Sequence, residues 1–213
     1  KRQNIHGAGE LNYLPKIIDK FKLDKLQNFV DFIKTIRLEY YEKLSQLSNK
    51  KFIIDKLPMN FRWIGFIVKA FPEAKIIHIQ RNPMAICWSN YRINFPDPGM
   101  DFSLSQKDTA KYYILYDDLI KFWSEKLKEK IIHIRYESFV NDFENETFNL
   151  VKKLGIKWEE NVKNYSKNVR PVQTASLLQV RSAIKKNTSD EWKKYQDHLK
   201  IMQETLDSAK IKY

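Results

Sequence analysis

Three short stretches of the sequence place a cation at or just beyond the end of an apolar run: Asp55-Lys56-Leu57-Pro58, Arg81-Asn82-Pro83 and Arg135-Tyr136-Glu137. A guanidinium offers a planar fork of donors that matches phosphate oxygens. An ammonium can stabilise negative charge that grows on an oxygen as a bond breaks. A tyrosine ring offers a stacking face to a base. Three such residues in parallel register suit an anionic ligand. The sharpest stretch is Ile76–Arg92, IIHIQRNPMAICWSNYR. Asn82 suits a helix N-cap and Pro83 the first helical position, so a positive helix end begins beside Arg81. Ser89 lies two turns further on, about 10 Å away, and reaches an anion only if that anion lies along the side of the helix. Taken alone, the same residues also fit a solvated lysine, an arginine paired with a surface carboxylate and a tyrosine packed at a strand end.

The elements that must position these residues follow from periodicity. Lys51–Asp55, Lys75–Gln80 and Ile131–Arg135 are short β-branched runs and read as strands. Leu23–Leu47 repeats Leu26, Phe29, Val30, Ile33, Ile36 and Leu44 at helical spacing, and Lys107–Lys130 does so with Tyr113, Leu115, Tyr116, Leu119, Phe122, Trp123 and Leu127. Further helices are expected over Asn60–Phe71, Pro83–Phe95, Asp142–Leu154 and Ser189–Leu206. Strands alternating with helices imply an α/β fold with a parallel sheet covered on both faces. Ligands of such sheets bind beyond the carboxyl ends of the strands, where the three cations lie.

Composition narrows the class. The 213 residues, 43% hydrophobic and 14% aromatic, suit one globular domain and argue against disorder. No apolar run approaches a membrane span, and Lys1–Glu10 lacks the apolar core of a signal peptide. Cys87 is the single cysteine, which excludes a disulfide framework and a Cys-rich zinc site. No His–Asp–Ser order or His/Glu metal spacing stands out, so no metal is expected. His78 and His133 lie in apolar strands and read as core histidines. The net charge of +12 is concentrated in residues 1–100 and 161–213. Dense Lys/Arg runs are absent, so an anionic ligand gripped by two distant segments fits better than nucleic acid. Five glycines leave little material for a Gly-rich phosphate loop.

The stretch DKLPMNFRWIGFIVKAFPEAKIIHIQRNPMAICWSNY (Asp55–Tyr91) resembles sulfotransferases that use 3′-phosphoadenosine 5′-phosphosulfate (PAPS). The resemblance is to the bacterial kind often fused to tetratricopeptide repeats, related to tyrosylprotein sulfotransferases. GAGEL at Gly7–Leu11, Arg135–Glu160 and Thr174–Tyr195 resemble further blocks of that family, in its order. The resemblance implies that Arg81 and Ser89 hold the 3′-phosphate, with Arg92 near a further arginine of that site. It implies that Tyr136 contacts adenine and that Ser176 and Gln179 belong to the loop over the cofactor. Arg181 matches a cation of the bacterial branch. Lys56 matches the catalytic lysine, Ser176 a catalytic serine, and Glu10 a catalytic glutamate region. In the tyrosylprotein branch that region reads Gly-Glu-Glu, and its second glutamate falls on Leu11 here.

The resemblance therefore implies a P-loop-NTPase-like parallel sheet flanked by helices. It also implies a single sulfotransferase domain over residues 1–213 that lacks the family's first strand and its phosphosulfate loop, with a segment upstream of Lys1. PAPS is the expected co-substrate, a hydroxyl-bearing small molecule, glycan or peptide the acceptor, and a bacterial cytoplasm the location. Two other readings stay open: a nucleotide or nucleoside kinase, which would need a lysine-bearing phosphate loop and a magnesium carboxylate, and a non-catalytic basic binding module.

Overall fold

Short apolar runs become strands only where a neighbouring strand satisfies their backbone groups, and two parallel pairs form. The computed structural model describes residues 4–21, 28–95, 99–160 and 186–213. The chain divides into two compact units, residues 1–74 with 158–183 and residues 75–157 with 184–213.

In the first unit, β1 (Ile5–Gly9) pairs in parallel with β2 (Phe52–Asp55), from Ile5 opposite Phe52 to Gly9 opposite Asp55. The register shifts between Gly7 and Gly9, so Ala8 is an extra residue in β1. Gly9 takes up the resulting bend at a φ of +83°, which favours glycine. Helices α1 (Tyr13–Asp19) and α2 (Phe29–Leu47) connect the two strands, as a parallel pair requires. The Asn28 side chain caps α2 by accepting the Val30 and Asp31 N–H groups at 3.0 and 3.2 Å. The helix thus starts later than its periodicity predicts, and residues 22–27 lie outside the described ones. Its buried face also differs. Phe32, Ile36 and Tyr40 point into the core, whereas Phe29 and Val30 are exposed. Leu14, Ile17 and Ile18 of α1, with Ala70 and Phe71, supply the surface that Phe32, Ile36 and Tyr40 pack against. The expected helix over Asn60–Phe71 is a 3₁₀ turn, Pro58–Trp63, followed by α3 (Ile64–Ala70).

In the second unit, β3 (Ile76–Gln80) and β4 (Ile131–Arg135) pair in parallel over five rungs, from Ile76 opposite Ile131 to Gln80 opposite Arg135. The helix α4 (Pro83–Tyr91) follows β3, and α5 (Gln106–Leu127) leads towards β4. Ala110 and Ile120 of α5 are buried, while Leu115 and Phe122, expected to face a core, are exposed. A short helix, α6 (Tyr136–Asn141), starts directly where β4 ends, and α7 (Phe143–Lys153) follows. Gly155, at a φ of +66°, stops α7: its N–H donates to Lys152 O, and the Ile156 N–H donates to Val151 O. The expected last helix is instead a 3₁₀ segment, Thr188–His198, and α8 (Lys200–Ser208), separated at Leu199. Leu199, Met202 and Leu206 are anchored in the core with Met84, Ala85, Cys87 and Ala110. Burial pushes the Cys87 thiol up to about 12, so it is an inert core residue.

The architecture is a mixed α/β fold with parallel strands. Among the described residues the strands form two ladders of two rather than one longer sheet. Among the described residues Ile54, Ile77 and Ile79 remain exposed, although their apolar strand sequences suggest cover on both faces. No described helix is long and apolar enough to cross a membrane.

Candidate functional site

Both ladders end at residues singled out by chemistry. The last rung of the first is Gly9 opposite Asp55, so the next residues, Glu10 and Lys56, leave the same carboxyl end side by side. The Lys56 N–H donates to Gly9 O at 2.9 Å and ties the two exits together. Beyond it the Lys56 ammonium forms an ion pair with the Glu10 carboxylate. Asp55 braces this corner. Its Oδ1 accepts the Leu11 N–H at 3.3 Å, and its Oδ2 accepts the Tyr40 hydroxyl at 2.7 Å and the Asn60 amide at 3.3 Å. Burial raises the Asp55 carboxyl above the usual carboxylate range, although these three donors work against the rise. Burial, with the bond to Asp55, also pushes the Tyr40 hydroxyl upward, so it remains a protonated donor. The corner therefore presents a cation able to stabilise charge on an oxygen and a carboxylate able to accept a proton.

The second ladder ends in the same way. Gln80 lies opposite Arg135, so Arg81 and Tyr136 emerge as neighbours. The Arg81 guanidinium carbon lies 4.8 Å from the centre of the Tyr136 ring. That is within cation–π range. Arg81 Nε donates to Ser189 Oγ at 3.2 Å, and its Nη2 donates to Thr188 O at 2.9 Å. The Tyr136 hydroxyl lies 3.2 Å from Thr188 Oγ1. Glu137 Oε1 accepts both the Ser189 hydroxyl at 2.6 Å and the Asn82 N–H at 2.9 Å. Burial alone would raise the Glu137 carboxyl. The Ser189 and Asn82 donors and the nearby Arg81 charge outweigh it and hold the carboxyl below its usual range. Asn82 also caps α4 by accepting the Ala85 N–H at 2.9 Å. A small groove, partly open to solvent, runs past Tyr136, Glu137, Asn141, Asn187, Thr188 and Ser189.

The sequence-derived residues are thus brought together in two sets, Glu10 with Lys56 and Arg81 with Tyr136. Ser89 lies further along α4, half-buried. Arg92 closes α4 and pairs with Glu191 at 3.6 Å, on the same 3₁₀ segment as Ser189. Ser176, Gln179 and Arg181 lie outside the described residues. Sequence reasoning did not single out Glu137, Thr188 or Ser189 as site residues. In the sequence Ser189 marks only the start of an expected helix, and Glu137 is only the third letter of Arg-Tyr-Glu. Asp55 likewise stood out only as the residue before Lys56.

The histidines expected in the core form a different arrangement. His78 and His133 occupy the same rung, with their Nδ1 atoms 3.0 Å apart. His78 Nε2 lies 2.5 Å from the Tyr116 hydroxyl, and His133 Nε2 lies 3.2 Å from Ser124 Oγ. Burial, then the neighbouring His133, lowers His78 to about 4. Among the described residues, no group of three or more His, Cys, Asp or Glu side chains could hold a metal ion.

The second corner offers guanidinium donors suited to phosphate oxygens and an aromatic ring suited to a base. The described contacts of Arg81 use two of its five N–H groups, and Tyr136 presents an aromatic ring at a groove. The chain also resembles known proteins. The chain is similar to an uncharacterized protein of Aquifex aeolicus (strain VF5), 28% identical over 219 residues, which cover 95% of this chain and 29% of that protein. The chain therefore corresponds to under a third of that relative's length. The sequence pattern of the sulfotransferase family matches residues 9–160, from the end of β1 past α7, including Glu10, Lys56, Arg81 and Tyr136. With a match over well more than half its length, this chain belongs to the sulfotransferase family.

Proposed function

We propose that the protein transfers a sulfuryl group from PAPS to an acceptor hydroxyl by in-line displacement. The observation that carries this reading is the Arg81–Tyr136 corner at the end of the β3–β4 ladder, within a chain of the sulfotransferase family. PAPS, when bound, supplies the activated sulfuryl group. Arg81 holds the 3′-phosphate through its guanidinium fork, with Ser89 of α4 and Arg92 at its end contributing. Tyr136 packs against the adenine. Lys56 stabilises the charge that develops on the departing bridging oxygen, an interaction that strengthens in the transition state. Glu10 accepts the acceptor's proton as the new S–O bond forms. Ser176 acts beside the sulfonate, Gln179 belongs with it to the loop over the nucleotide, and Arg181 adds a cation to nucleotide binding.

Thermal denaturation with three ligands tests this reading, because a ligand of the native state raises apparent stability. Adenosine 3′,5′-bisphosphate, the product nucleotide, is expected to raise the Tm. ATP with magnesium and a short oligonucleotide are expected to leave it within experimental scatter. Stabilisation by ATP–magnesium alone would favour a kinase, and stabilisation by the oligonucleotide alone a basic binding module.

A further inference from the structure

The structure assigns Glu137 as the positioning residue of the nucleotide-binding corner. This rests on the reading of Arg81 as a phosphate ligand and adds a residue to it. A carboxylate beside an anion site is electrostatically unfavourable, so its presence there needs a reason. The hydrogen bonds supply one. A single oxygen, Glu137 Oε1, accepts from the Ser189 hydroxyl at 2.6 Å and from the Asn82 N–H at 2.9 Å. Asn82 starts α4 immediately after Arg81, and Ser189 Oγ in turn accepts Arg81 Nε–H at 3.2 Å. Glu137 itself sits in the first turn of α6, next to Tyr136. One carboxylate oxygen therefore joins three segments far apart in sequence: the β3–α4 junction, the start of α6 and the 3₁₀ segment at Thr188–His198. All three converge on Arg81.

The consequence is geometric. The backbone on the C-terminal side of Arg81 is fixed through the Asn82 N–H. The near edge of the guanidinium is fixed through Ser189, and the Thr188 carbonyl holds Nη2 at 2.9 Å. The fork is thus oriented before any ligand arrives, which lowers the ordering cost of binding. Glu137 acts through Asn82 and Ser189 and need not touch the nucleotide.

Titration calorimetry on the full chain with adenosine 3′,5′-bisphosphate and adenosine 5′-monophosphate tests this. The two ligands differ only in the 3′-phosphate. The wild type is expected to prefer the bisphosphate, and Glu137→Ala to lose about tenfold or more of that preference while 5′-monophosphate affinity changes little. A defect that was only structural would weaken both ligands alike and leave the ratio unmoved. Glu137→Gln keeps an oxygen that can accept both donors and removes the opposing charge, so it is expected to match or exceed the wild-type preference. Should Glu137→Ala fold poorly, Ser189→Ala removes the link to Arg81 Nε and is expected to reduce the ratio in the same sense. An unchanged ratio in Glu137→Ala or, in that case, in Ser189→Ala overturns the positioning role, provided Arg81→Ala abolishes the preference. Loss of the preference in Glu137→Gln overturns it as well. A wild type with no preference, or an Arg81→Ala that keeps it, overturns the underlying reading of Arg81 and the role of Glu137 with it.

Discussion

Glu10 and Lys56 are each the first residue beyond the last rung of one parallel ladder, and their side chains form an ion pair there. They are 46 residues apart in sequence. Parallel pairing brings both strands to the same carboxyl end, and the Gly9 bend turns Glu10 towards Lys56. The second ladder repeats the relation with Arg81 and Tyr136. In each unit, strand register puts two chemically useful residues beside one another.

The first pair makes a prediction about rate and stability. Lys56→Ala should reduce sulfuryl transfer to an acceptor hydroxyl by about 10²–10³-fold, the usual effect of removing a group that stabilises transition-state charge. The Lys56 side chain is 57% exposed, so the ion pair contributes little to folding. Stability in urea should change by about 1 kcal/mol or less. A variant that transfers at the wild-type rate removes Lys56 from the chemistry.

Asp55 should behave in the opposite way. Asp55→Ala strands the Tyr40 hydroxyl, the Leu11 N–H and the Asn60 amide in a half-buried place. Losing the acceptor of several donors costs about 1–3 kcal/mol. Urea denaturation should show that loss, and Asp55→Asn should recover part of it. A midpoint unchanged from wild type would mean that the three donors find water instead.

His78 links stability to pH. Its folded-state value, about 4, lies below the ordinary histidine value of 6.5. Between those values the unfolded chain binds more protons than the folded one, so stability is fully present above about 6.5 and declines as the pH falls towards 4. The shift corresponds to about 2 kcal/mol after allowing for partial exposure. The groups around the ring are Tyr116, His133 and Asp117. Chemical denaturation at pH 7.5 and 5 should show the loss in the wild type and a smaller one in His78→Asn. Equal losses would assign the pH dependence elsewhere.

Arg81→Lys keeps the charge but removes the fork and the Nε–H to Ser189. Affinity for adenosine 3′,5′-bisphosphate should fall about tenfold or more, with the Tm in the absence of ligand close to wild type. Full affinity in the lysine variant would show that only the charge matters.

Much of this arrangement is legible along the chain. IIHIQ and IIHIR announce β3 and β4, Asn82-Pro83 announces the start of α4, and Gly155 the end of α7, because each of these signals is local. The cations at strand ends follow once a parallel sheet is inferred. The missed parts depend on contacts across the sequence. IHGAG has little strand character of its own and becomes β1 through its pairing with β2. The buried face of α2 is set by α1 and Phe71, so Phe29 and Val30 face outward despite their apolar side chains. The Glu137–Ser189 bond spans 52 residues, and no local spacing predicts it.

Nucleotide recognition depends on Arg81 meeting a 3′-phosphate, and nitrogen-15 NMR of its guanidinium reports that contact, with the Nε–H resonance assigned by its absence in Arg81→Lys. Adenosine 3′,5′-bisphosphate should shift the Arg81 resonance, and adenosine 5′-monophosphate should leave it in place. An Arg81 resonance unmoved by the bisphosphate, or moved equally by the 5′-monophosphate, would contradict the account.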